Sequence, residues 1–228
     1  EYGDIYDQTE KLNTEYGFDA PGCRENLKTV PSVYHRLEKL MDDIPKIQEY
    51  QYRLLKYYTE HYRIQKYEPC SGYVQFMFID LCPQSFYGLY DWWGIPKKGL
   101  QAMLESNAPV GVFAKHKDYL DSLYIVNDTH EDLGQCELTW IITEAFSGNL
   151  VEKGTVTAEI QADSCIKAKE FESGYGKEQK WNLTLILSDY DGKCIAKNTY
   201  QDICTLLSRV DGHPERMSHE FGMRLYWA

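Results

Sequence analysis

The sequence predicts an α/β portion followed by an all-β portion. In the 228-residue chain, residues 1–110 carry helix-period apolar patterns and one long apolar run, whereas apolar and polar residues alternate through 111–204. The net charge of −11 disfavours nucleic acid as a partner, because its phosphate backbone is also negative. No apolar run reaches the roughly 20 residues of a membrane-spanning helix, so we expect no membrane partner either.

Apolar spacing and proline positions predict three helices in the first portion. They cover residues 31–43, 45–66 and 96–106, and the proline that opens the second helix is tolerated in a first turn. The predicted buried stripe of the second helix consists of Ile47, Gln51, Leu54, Tyr58 and Tyr62.

An apolar run between the second and third helices predicts a strand. Residues Gly72–Asp80 are almost continuously apolar and rich in aromatic side chains, which favours a strand buried on both faces of a parallel sheet. The following loop, 81–94, contains many aromatic residues. They suit either a wall that stacks against sugars or a packing surface, and we favour packing for Trp92 and Trp93.

The second portion reads as short strands separated by turns. Six or seven strands in about 100 residues are typical of an immunoglobulin-like β-sandwich. We therefore predict two domains, 1–108 and 109–228, and leave the role of 205–228 open. The candidate strands are 110–115, 120–127, 135–146, 150–160, 180–188 and 193–203.

Cysteine and histidine spacing predict neither disulfides, nor a metal site, nor a cofactor. Seven cysteines occur without a CxxC pair, which favours free thiols and a cytoplasmic location. Two glycosylation sequons, at Asn127 and Asn182, keep a secreted or periplasmic location as the alternative. The six histidines show no zinc-ligand spacing, and Glu1 looks like a cut into a longer protein.

Three glutamates precede an aromatic residue and a glycine: Glu1, Glu15 and Glu220. Only Glu15 follows a strand-like segment and precedes a turn, which would place its carboxylate at the tip of a strand, where barrel enzymes hold catalytic groups. A solvated turn residue is the alternative. Asp80 ends the apolar run, so its carboxylate either faces a site or caps the amides of the following loop.

Several motifs in order resemble glycoside hydrolase family 2, which includes β-galactosidases, β-mannosidases and β-glucuronidases. Asn13–Pro21 is similar to its nucleophile segment, and Gly72–Pro83 to its eighth barrel strand. Pro109-Val110 then leads into a segment similar to its C-terminal immunoglobulin-like domain. The resemblance covers about residues 10–204, and its other motifs are Gln51, Glu60, Tyr62-Arg63, Tyr87–Asp91, Gly94–Lys97, Tyr124–Asp128 and Asn198–Tyr200.

The resemblance implies the end of a (β/α)8 barrel and retaining hydrolysis of β-linked sugars. It makes Glu15 the nucleophile and places Tyr16, Phe76 and Asp80 around a carbohydrate substrate. Retention needs a second carboxylate about 5–5.5 Å from the first. In the family this acid/base glutamate lies upstream of the matched region, so the remainder of a parent enzyme is the expected partner and the isolated chain is expected to be inactive.

Three positions depart from the family pattern, because Phe76 and Cys82 stand where it has tryptophan and Ile79 stands where it has asparagine. A non-catalytic module, made of a barrel remnant and a sandwich for carbohydrate binding or interdomain packing, is therefore the alternative. An adhesion sandwich without enzyme ancestry is a third hypothesis.

Overall fold

The computed structural model describes residues 44–80, 88–117, 119–172, 174–176 and 178–204. The helix predicted over 31–43 and the segment 205–228 lie outside these residues. The described helices are α1 (Ile44–Arg63) and α2 (Lys98–Ser106), and the described strands are β1 (Val110–His116), β2 (Leu120–Asn127), β3 (Gly134–Glu144), β4 (Leu150–Ile160), β5 (Ser164–Glu170), β6 (Trp181–Ser188) and β7 (Cys194–Ile203).

The described residues divide into two compact units. The first unit contains 44–55, 74–80 and 88–102, and the second unit contains 56–73 and the described part of 103–204. Helix α1 is continuous through the division at residue 55. The second unit joins the end of α1 to the sandwich, although the predicted domains, 1–108 and 109–228, separate the two. Those domain limits stay a prediction.

The second unit is built on a β-sandwich of two antiparallel sheets. One sheet has the order β1-β2-β5 and the other the order β4-β3-β6-β7. The hairpins β1-β2, β3-β4 and β6-β7 pair neighbours in sequence, while β5 crosses to the sheet opposite β4. This three-plus-four arrangement with a crossover agrees with the predicted sandwich.

Alternate residues of the strands fill the space between the two sheets. In β3 and β6 the buried positions alternate with partly exposed ones, as a sheet with one covered face requires. On the edge strand β4, a Cβ at Gly154 would overlap the Trp140 ring, so only glycine fits. The central core residues are Val112, Leu123, Ile125, Leu138, Ile142, Leu183, Leu185 and Leu187.

The last residue of α1, Arg63, and the next residue, Ile64, cover the outer face of the three-stranded sheet, with the Arg63 guanidinium 5.0 Å from the Phe113 ring centroid. Ile64 packs against Phe113 of β1 and Val126 of β2, with Tyr124 and Cys165 at the border. Strand β1 is consequently buried on both faces, with Val112 and Ala114 in the sandwich core and Phe113 under the helix. The second unit therefore has three layers at this point.

The buried strand predicted over Gly72–Asp80 is wrong for this structure. Val74 and Phe76 are 93% and 79% exposed, and Met77 has a left-handed φ of 65°, which interrupts a β-strand. A parallel strand needs hydrogen-bonded neighbours, and within 72–80 the described residues form one isolated parallel bridge, between Ile79 and Tyr90. None of the described residues of the first unit forms a barrel strand.

Within the described part of the chain, neither helix combines the length and the apolarity required to cross a membrane.

Candidate functional site

The structure describes two of the four predicted site residues. Glu15 and Tyr16 lie outside the described residues, so their roles stay predictions. Phe76 and Asp80 both belong to the first unit, but their environments are opposite. The Phe76 side chain is largely exposed, whereas Asp80 is 2% exposed.

Asp80 is buried in an ion pair. Its Oδ2 contacts Nζ of Lys97, and the two side chains are 0% and 4% exposed. Its Oδ1 accepts a hydrogen bond of 2.7 Å from the backbone N–H of Gly88. A Cβ at Gly88 would lie 2.5 Å from that same oxygen, so only glycine permits this approach. The partners neutralise a charge that would otherwise be costly to bury.

Backbone hydrogen bonds and one side chain of α1 hold the segment around this pair. Gln51 Nε2 donates to the carbonyl of Gly88 at 3.0 Å. The N–H of Lys97 donates to Leu89 at 2.9 Å, and the N–H of Asp80 donates to Tyr90 at 3.1 Å. Residues 80, 88–90 and 97 are thereby fixed to one another.

A second buried carboxylate, that of Asp91, shapes the turn between Tyr90 and Lys97. Its Oδ1 accepts hydrogen bonds from the N–H groups of Trp93 at 2.9 Å and Ile95 at 2.8 Å. Gly94 adopts a φ of 78°, which favours glycine. The turn leaves Trp92 and Trp93 about half exposed, at 49% and 53%.

Four exposed aromatic residues surround these buried acids in sequence: Phe76, Phe78, Trp92 and Trp93, here called the aromatic group. Phe78 lies against Tyr90, with 5.1 Å between ring centroids. Aromatic faces of this kind can stack on a sugar ring or pack against protein. Among the described residues, no set of three His, Cys, Asp or Glu side chains could hold a metal ion.

The second unit contains a polar network that the sequence does not predict, although Glu60 and Asn198–Tyr200 belong to the family-like motifs. Glu60 of α1 accepts hydrogen bonds from Asn198 Nδ2 at 2.9 Å and from the Tyr200 hydroxyl at 2.7 Å. Lys56 Nζ lies 2.9 Å from the same carboxylate, and Tyr200 also accepts from the N–H of Ala114 at 3.0 Å. All four side chains of this network are buried, so it joins α1 to the sandwich rather than meeting a substrate.

A more exposed charge cluster lies where α1 ends. Lys66 Nζ is 2.6 Å from Asp128 and 2.5 Å from Asp163, and Arg63 also pairs with Asp128 at 2.7 Å. Hydrogen bonds from Lys66 and then from Tyr67 hold the pKa of Asp163 below its ordinary value. Burial raises the pKa of Asp128, but hydrogen bonds and charges from Lys66 and Arg63 outweigh it, so that pKa is lowered too.

Comparisons of sequence give no relative. No protein-family model matches the chain, and no curated protein matches its sequence.

A comparison of this structure with solved structures finds similarity to glycosidases. The exo-chitosanase CsxA of Amycolatopsis orientalis matches 71% of this chain with a TM-score of 0.59 and 19% identity. The β-D-mannosidase of Dictyoglomus thermophilum matches 64% with a TM-score of 0.53 and 22% identity. The chain spans only 19% and 18% of these two proteins.

At these identities the likeness concerns the fold. It covers most of the chain and agrees with the β-sandwich seen among the described residues. The resemblance to glycoside hydrolase family 2 that the motifs predict is therefore confirmed at the level of the fold.

Proposed function

We propose that the chain is part of a retaining β-glycosidase that hydrolyses β-linked sugars. The observation that carries this proposal is the structural match to two β-glycosidases over 64–71% of the chain. The order of the family-like motifs, from Glu15 through Asp80 to the sandwich, supports it independently. Because the chain spans about a fifth of those enzymes, the activity belongs to a longer protein.

In the proposed mechanism, the carboxylate of Glu15 attacks the anomeric carbon and forms a covalent glycosyl-enzyme. A second carboxylate, supplied by the remainder of the parent enzyme, protonates the departing oxygen and then activates the water that hydrolyses the intermediate. Tyr16 and Phe76 contact the sugar, and the exposure of the Phe76 ring suits this role. The buried carboxylate of Asp80 is less suited to direct contact.

The test is a substitution of Glu15 in the longer protein. Glu15→Gln should lower turnover of a nitrophenyl β-glycoside by the order of 10⁴-fold, because loss of a nucleophile removes the covalent route. Glu1→Gln is the matched control, since Glu1 also precedes Tyr and Gly. Unchanged turnover in Glu15→Gln, with the fold intact by circular dichroism, would refute the assignment. The isolated 228-residue chain should show no turnover at all.

The half-exposed tryptophans favour a second candidate, a non-catalytic carbohydrate-binding module. Trp92 and Trp93 offer stacking faces without any need for Glu15. Calorimetric titration of the chain with oligosaccharides separates the two functions. Saccharide binding together with an inactive parent protein would favour the module, whereas an active parent that depends on Glu15 would favour the glycosidase.

A cytoplasmic location remains part of the proposal. None of the described cysteines forms a disulfide: Cys70, Cys136, Cys165, Cys194 and Cys204. The asparagine of the first sequon already has hydrogen-bond partners within the protein. Asn127 is completely buried, and its Nδ2 donates to the carbonyls of Glu131 and Gln161 at 2.9 Å each. Its amide therefore supports loop structure in the folded protein and is not presented for glycosylation.

A further inference from the structure

A single carboxylate joins both ends of the segment that carries the tryptophans. Asp80 Oδ1 accepts from Gly88, where residues 88–97 begin, and Oδ2 pairs with Lys97, where they end. Between these two ends, Asp91 closes the turn that presents Trp92 and Trp93. The segment is therefore a closed loop whose ends meet at Asp80.

Backbone hydrogen bonds of Asp80 and Phe78 hold the segment that carries Phe76 and Phe78 against the same loop. The N–H of Asp80 donates to Tyr90, and the carbonyl of Phe78 accepts from the N–H groups of Leu89 and Tyr90 at 3.0 and 3.1 Å. The backbone that carries Phe76 and Phe78 and the loop that carries Trp92 and Trp93 are thus both held at the buried ion pair of Asp80 and Lys97. Exposed aromatic side chains keep a fixed arrangement only if the backbone beneath them is fixed.

We infer that Asp80 and Lys97 are a positioning pair, which fixes the aromatic group for sugar recognition without contacting the sugar. The inference rests on the proposed function. Asp80 is fully covered, and its two oxygens already meet an ammonium group and a backbone amide. Removing one member leaves the other as a buried, uncompensated charge, which forces the segment to rearrange.

The kinetic test compares both members of the pair in the longer protein. Asp80→Asn and Lys97→Met should each lower kcat/KM for a nitrophenyl β-glycoside by about 100-fold, since a displacement of about 1 Å has this cost. The double variant should lose no more than either single variant, because the two residues act as one unit. Lys98→Met is the matched control, since the neighbouring Lys98 pairs with Glu49 at 3.1 Å while both are about half exposed.

Fluorine NMR of the 228-residue chain, labelled with fluorotryptophan, supplies a readout that does not depend on activity. Trp92→Phe and Trp93→Phe assign the two resonances of the loop. Asp80→Asn, Lys97→Met and Gly88→Ala should each shift or broaden them, and Lys98→Met should not. Trp140 and Trp181 are buried in the sandwich, so their unchanged resonances show that the second unit is folded.

Two outcomes would overturn the positioning pair. One is a large kinetic loss in Asp80→Asn with near-normal activity in Lys97→Met, which would mean that Asp80 acts on the sugar itself. The other is an unchanged pair of loop resonances in both variants. If the unsubstituted longer protein hydrolyses no β-glycoside, the proposed function fails, and the fluorine spectra alone decide whether the pair fixes the loop.

Discussion

The hydroxyl of Tyr200 stabilises the second unit through three hydrogen bonds. It donates to Glu60 and accepts from Ala114 N and Asn198 Nδ2. Tyr200→Phe leaves these buried groups short of a partner, so we expect the free energy of unfolding to fall by about 1–3 kcal/mol. Urea denaturation measures this change. Tyr190→Phe, at a side chain 86% exposed, should stay within about 0.5 kcal/mol, and equal effects in the two variants would contradict the role of the network.

We expect Lys66 to make the stability of the second unit depend on pH. Asp128 and Asp163 have lowered pKa values, so their ion pairs add stability above the unfolded pKa, which is near 3.8, and lose it as the pH falls through the lower folded values. Lys66→Met should therefore lower the urea midpoint at neutral pH. The difference in urea midpoint between Lys66→Met and the unsubstituted chain should become steadily smaller below about pH 4.

The control for Lys66 is Lys167→Met, which removes an exposed pair with Glu170 at 3.4 Å. It should change the midpoint little at any pH. NMR titration of the Asp163 carboxyl gives a direct reading, because its pKa should rise toward 3.8 in Lys66→Met. If the urea midpoints of Lys66→Met and the unsubstituted chain differ by the same amount below pH 4 as at neutral pH, Lys66 acts by packing rather than by charge.

At the scale of the element, helix α1 shows where apolar periodicity succeeds and where it cannot. Its extent is close to the predicted 45–66, and Gln51 and Leu54 of the predicted stripe are buried. Tyr62 is 43% exposed instead, while Lys56, Glu60 and Arg63 are buried. The partners that make these charges tolerable, Asn198 and Tyr200 among them, lie about 140 residues away in sequence. No local pattern carries that information.

The strands divide in the same way. Six of the seven described strands were predicted nearly to their ends, because one covered face imposes a period of two. Strand β5, Ser164–Glu170, was missed because its lysines and partly exposed positions weaken the alternation. The apolar run before Asp80 produced a false strand, since composition alone cannot reveal the left-handed Met77 or the lack of described neighbours to pair with.

The candidate site was predictable only in part for a related reason. Motif order points to Phe76, and the end of an apolar run also points to Asp80. The burial of Asp80, however, depends on Lys97 and Gly88, which approach it through the fold. Lys97 was matched in sequence only as the end of a short motif. Its pairing with Asp80 becomes evident only from the fold, in which the carbonyl of Phe78 accepts hydrogen bonds from the N–H groups of Leu89 and Tyr90.

At the scale of the whole molecule, two features have opposite effects on self-association. An uncharged apolar strip at residues 74–79 favours it, and the strongly negative net charge disfavours it. Residues 74–79 contain no charge and no proline, and four of their side chains are more than 40% exposed: Val74, Phe76, Phe78 and Ile79. Such a segment is prone to pair with copies of itself. The net charge of −11 repels those copies. Salt weakens this repulsion, since the Debye length falls from about 30 Å at 0.01 M to about 8 Å at 0.15 M.

The isolated chain should therefore self-associate, and more so as salt is added. Sedimentation velocity at low and at near-physiological salt measures the fraction of larger species. Phe76→Lys should reduce that fraction, because it places a charge in the middle of the strip. Phe146→Lys, at an equally exposed single phenylalanine on the β3-β4 turn, is the control and should leave it unchanged. A monomer at both salt concentrations, or equal relief by both substitutions, would show that the strip at 74–79 does not drive association.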